Sequence, residues 1–107
     1  MNALLTSAQA RLDEALSGEL SDPVGAAIMS MYDALMSSLP DGERSRFVDH
    51  PNAEAARLAV TQLAWPRAEA DHAVQVVQLY YAHNRERLVP LSDAVHLACR
   101  AFEAASQ

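Results

Sequence analysis

The stretch DPVGAAIMSMYDALMSSLP, residues 22–40, carries one charged side chain after its first residue, Asp33. Asp22 followed by Pro23 suits a helix start: an Asp oxygen accepts a free first-turn N–H, and Pro has no N–H to leave unpaired. The pattern predicts a helix from Pro23 to about Leu39, stopped by Pro40. Val24, Ala27, Ile28, Met31, Leu35 and Leu39 recur at three and four and form one apolar stripe. Met29, Tyr32 and Met36 form a second, roughly 100° around the helix from the first. A helix apolar on that many sides belongs either at the middle of a bundle or in an interface.

The other prolines, at 51, 66 and 90, mark the remaining helices. Upstream, Leu5, Ala8, Leu12, Ala15, Leu16 and Leu20 predict a helix from about Leu4 to Leu20. Downstream, Asn52 caps a third helix running to about Ala64, with Trp65-Pro66 as the break. A fourth helix starts at Pro66 or Arg67 and reaches about Leu88. The last starts around Pro90-Leu91-Ser92 and runs to Ala105, with either Ser92 as its cap or Pro90 in the first helical position. Connections of a few residues make consecutive helices antiparallel neighbours, so the expected fold is all-α, a compact four- to five-helix antiparallel bundle forming one domain over residues 1–107.

Composition agrees with this and removes several function classes. Ala supplies 21 of 107 residues, while Val, Ile and Thr together supply 11, a balance that favours helix over sheet. Eight Arg, no Lys and fourteen acids give a net charge of −6, which opposes general binding to a phosphate backbone. Cys99 has no partner within the chain, so no disulfide scaffold forms from it alone, and a lone Cys is compatible with a reducing compartment. The first residues lack a basic segment and a long apolar run, and the longest weakly charged stretch is too short and polar to cross a bilayer. A cytoplasmic protein is expected.

The fourth helix repeats the apolar excess of the second: Ala70, Ala73, Val74, Val77 and Tyr81 on one stripe, Val76, Leu79, Tyr80 and His83 on another. Either neighbouring helices cover both stripes, or Met29, Tyr32 and Met36, or Val76, Leu79 and Tyr80, stay partly open until a partner covers them. Tyr and Met suit such surfaces because they combine contact area with an adaptable or amphipathic tip. Trp65, at a helix end, reads as a lid on the core or an exposed anchor.

Chemical sites are weaker. Glu69 with His72 and Asp93 with His96 each space a carboxylate and an imidazole three apart, as dinuclear metal bundles do. A hairpin turning near Val89-Pro90 would set these pairs about 20 Å apart, which excludes a shared centre. The same hairpin would level His83 with His96, leaving His83, His96 and Asp93 as weak metal-ligand candidates. Cys99 flanks a core stripe and matches no nucleophile signature; Gly18, Gly25 and Gly42 are scattered and form no phosphate loop. Arg67, Arg85 and Arg87 could make the fourth helix a DNA reader, but Glu69 and Asp71 sit at its start. Asp13, Glu14 and Glu19 line the outer side of the first helix, a solvated face or a dock for a basic partner.

No cofactor is expected. The sequence therefore points to a non-enzymatic protein-interaction module, of the kind of a small bacterial or phage inhibitor, immunity protein or chaperone. It would self-associate as a homodimer or occlude another protein. A DNA-binding regulator and a small metal-binding bundle are the alternatives.

Overall fold

The computed structural model describes residues 3–19, 21–40, 42, 53–81 and 89–106. Five α-helices account for most of them: α1 Ala3–Ser17, α2 Pro23–Ser37, α3 Ala53–Gln62, α4 Arg67–Tyr81 and α5 Leu91–Ala105. No strand occurs among the described residues, and the helices form an all-α bundle with a radius of gyration of 12.5 Å. No helix is long and apolar enough to cross a membrane among the described residues.

Helix ends follow local chemistry, sometimes earlier than the apolar pattern suggests. α1 stops at Ser17 and not near Leu20, because Gly18 takes a left-handed φ of 79° and Ser17 Oγ donates to the Glu14 carbonyl at 2.7 Å. α2 starts as expected: Asp22 accepts from the Gly25 N–H at 3.0 Å with Pro23 in the first turn. It ends two residues short of Leu39, where Ser37 and Ser38 each turn a hydroxyl back onto a carbonyl, of Ala34 and Leu35, at 2.6 Å. α5 starts at Leu91, inside the expected Pro90–Ser92 window, and ends at Ala105 as expected, though with neither of the two expected cap arrangements. Pro90 is the cap residue itself, with an extended ψ of 154°, and Ser92 lies exposed inside the first turn. The expected cap Asn52 and the stretch of the fourth helix from 82 to 88 lie outside the described residues.

α2 is the hub. It packs most extensively on α1 and α5 and also touches α3 and α4, while α1 meets α5. α1 and α2 run antiparallel, as the cross-links Ser30 to Ala8 and Arg11 to Met29 show. Ile28, Met31 and Leu35 are fully buried, and the helices around them meet α2 largely through alanines: Ala8, Ala55, Ala56, Ala59, Ala98 and Ala101 have no exposed surface. Alanine faces let backbones approach closely, so short helices cover a wide apolar hub. Ser30, the buried polar residue of α2, donates its hydroxyl to the Ala8 carbonyl at 2.6 Å, so no buried donor is left unpaired there.

The α3–α4 corner is a Schellman turn. Trp65 N–H bonds the Val60 carbonyl at 3.2 Å, Ala64 N–H bonds Thr61 at 3.1 Å, and Ala64 sits in the left-handed region at φ 55°. Glycine normally holds that position because a Cβ there costs about 1 kcal/mol. Ala64→Gly is therefore expected to stabilise the fold by about 1 kcal/mol, read as a higher urea midpoint with an unchanged slope.

Candidate functional site

The second stripes of α2 and α4 are placed unevenly. Tyr32 and Met36 are 5% exposed and Val76 is 2% exposed, so these three belong to the core and offer no surface to a partner. The reason is the close approach just described: the neighbours of α2 enclose its first stripe and, at Tyr32 and Met36, most of its second. Met29, Leu79, Tyr80 and Trp65 are half-buried and keep some open surface. Tyr80 lies against the start of α2, where Gly25 makes room; a Cβ at 25 would stand 3.0 Å from Tyr80 Cε1 and collide with the Asp22 carboxylate. Trp65 packs on the core and also borders a small polar depression with Arg100 and Glu103. Among the described residues, Leu16 is the large apolar side chain most open to solvent, at 61%.

The metal and histidine geometry differs from the expected hairpin. Glu69 makes two bonds to Arg100, from Nε at 2.7 Å and Nη2 at 3.0 Å. Those bonds hold the Glu69 carboxyl below its ordinary value against the opposing effect of burial, and the charges of Arg100 and His96 act in the same direction. The start of α4 thus faces the middle of α5, so the 20 Å separation does not hold. α5 packs chiefly on α2, with a smaller contact to α1. His96 and Asp93 are nevertheless exposed, and no cluster of three or more metal-ligating side chains occurs among the described residues. His83 lies outside the described residues, as do Arg85 and Arg87 of the DNA-reading alternative. Arg67 is exposed on α4 and lies 4.0 Å from Asp71, whose other oxygen accepts from Arg57 at 2.7 Å. Cys99 is half-buried against the core.

A shallow, open depression of about 450 Å³ lies between α3 and α4. Ala53, Leu58 and Val74 give it an apolar floor; Glu54, Arg57 and Thr61 form its rim. The Arg57–Asp71 pair straddles the two helices, and Thr61 Oγ1 donates to the Arg57 carbonyl at 2.8 Å, which fixes this edge. Glu54 is exposed on the first turn of α3. This surface escapes sequence reasoning because Leu58 falls beside the Ala55-Ala56-Ala59 stripe of a short helix. A lone Leu there reads as an extension of the core.

A second cluster joins α1, α2 and α4. Asp33 receives the Arg11 Nε at 2.8 Å and the Ser7 hydroxyl at 3.1 Å; the Met29 sulfur lies 3.4 Å from Arg11 Nη1 and 3.5 Å from the Tyr80 hydroxyl. Burial pushes the Asp33 carboxyl above its ordinary value, outweighing the Arg11 charge and the bonds from Ser7 and Arg11.

Comparison with protein-family models, with curated proteins and with solved structures gives no match.

The sign of the Asp33 effect sets a test. Folded Asp33 holds its proton to higher pH than unfolded Asp33, so its contribution to stability is greatest below the unfolded value, about 4. It is lost as pH rises through the raised native value. In Asp33→Asn this dependence disappears: the urea midpoint of the variant should climb relative to wild type as pH rises from about 4 toward neutrality.

Proposed function

We propose that this chain is a non-enzymatic protein-interaction module that binds another protein and occludes part of its surface. The observation that carries the reading is the α3–α4 depression, an apolar floor of Ala53, Leu58 and Val74 inside a polar rim. Protein interfaces are built this way, with a desolvated apolar centre and a solvated polar edge. The partner is a protein that presents an apolar side chain beside a cation. The apolar group fills the space over Leu58, and the cation meets Glu54, which fits the net charge of −6. The lone Cys99 suits a reducing compartment, so we place the protein in the cytoplasm. A small inhibitor, immunity protein or chaperone of bacterial or phage type fits this physical description.

A buried Leu anchor contributes about 2 kcal/mol, so Leu58→Glu should weaken partner binding by at least roughly thirtyfold. Leu16→Glu, on the outer face of α1, should leave it unchanged. Capture of one protein in a fixed ratio by wild type and Leu16→Glu, and its loss with Leu58→Glu, is the expected result. Light scattering across a dilution series would reveal a dimer that Leu58→Glu dissolves, in which case the occupant is a second copy. Partner capture and solution mass both indifferent to Leu58→Glu would overturn the choice of surface.

A further inference from the structure

We propose that Met29 is a reversible oxidation site, taking one oxygen atom from a hydroperoxide without loss of the fold. Three methionines lie among the described residues, and their surroundings differ sharply. Met31 is fully enclosed and Met36 is 5% exposed, whereas Met29 is only half-buried. Two donors already converge on its sulfur: Arg11 Nη1 from α1 at 3.4 Å and the Tyr80 hydroxyl from α4 at 3.5 Å. A thioether is a weak acceptor, and a sulfoxide oxygen is a strong one.

In the reaction the sulfur attacks the terminal oxygen of the hydroperoxide. An S–O bond forms, the O–O bond breaks, and the departing alkoxide (hydroxide for hydrogen peroxide) takes the proton carried by the transferred oxygen, leaving as an alcohol or as water. Sulfur gives up two electrons and the peroxide accepts them. The new oxygen lies where Arg11 and Tyr80 already donate, so the α1–α2–α4 corner gains an acceptor in place of a weaker one. Oxidation at Met31 or Met36 would instead put a polar, chiral group into a closed core.

The test treats folded protein with limiting hydrogen peroxide and follows each methionine by peptide mass spectrometry beside the melting temperature. Met29 should gain oxygen about tenfold or more faster than Met31 and Met36, and the oxidised protein should melt within about two degrees of the untreated one. Methionine sulfoxide reductase should return the original mass. In Tyr80→Phe and in Arg11→Gln, Met29 should still be oxidised, but each oxidised variant should melt well below its own reduced form. Equal rates at Met29 and Met31 overturn the proposal. So does a wild-type melting loss on Met29 oxidation as large as that in the two variants.

Discussion

A helix with so little polar surface has to be enclosed on most sides, and α2 can be enclosed that far only if its neighbours bring their backbones near it. That requirement organises the molecule. Alanine meets it best, since it buries no polar atom, loses no rotamer freedom and leaves little distance between helix axes. The faces that α1, α3 and α5 turn inward carry alanine at most of their fully buried positions. The large side chains are concentrated on α2 itself, with Ile28, Met31 and Leu35 in the space between. Ser30 fits the same scheme: a small hydroxyl at a tight crossing finds its acceptor on the α1 backbone and fixes how α1 lies along α2.

Polar groups gather where this enclosure thins out. At the α1–α2–α4 corner, Asp33, Arg11, Ser7, Met29 and Tyr80 share one connected set of contacts. At the α4–α5 crossing, Glu69 and Arg100 form a two-pronged pair near the surface, a geometry more specific than a single contact but screened by water and salt. Between α3 and α4 the Arg57–Asp71 pair bridges helices over an apolar floor. Charge pairs of different kinds therefore mark the α1–α2, α4–α5 and α3–α4 contacts.

The bundle was legible because its punctuation is chemical. Asp22-Pro23 and the 3.6-residue spacing of the α2 stripe carry their meaning locally, and α2 starts where they place it. Other features depend on distance. Whether Tyr32, Met36 and Val76 are core or surface turns on how near the neighbouring helices come, which alanine spacing suggests but does not measure. The facing of Glu69 and Arg100 was hidden for a related reason: sequence offers the turn at Pro90 as a mirror, whereas α5 packs chiefly on α2, with a smaller contact to α1. Ala64 in a left-handed turn was not legible at all, since the usual glycine is missing and Trp65-Pro66 reads only as a stop. The depression around Leu58 shares that difficulty, because one Leu looks alike in a core and on a floor.

The dependence of α2 on α5 has a consequence in time. Ser37 ends α2 and Leu91 begins α5, so a growing chain must lengthen by more than fifty residues before the second large partner of α2 exists. At about 5–20 residues per second, the face of α2 that α5 will cover stays wet for seconds, while α1 and then the smaller contacts of α3 and α4 shield its other sides. Throughout that interval the nascent chain presents one of its most apolar surfaces to whatever binds emerging polypeptide.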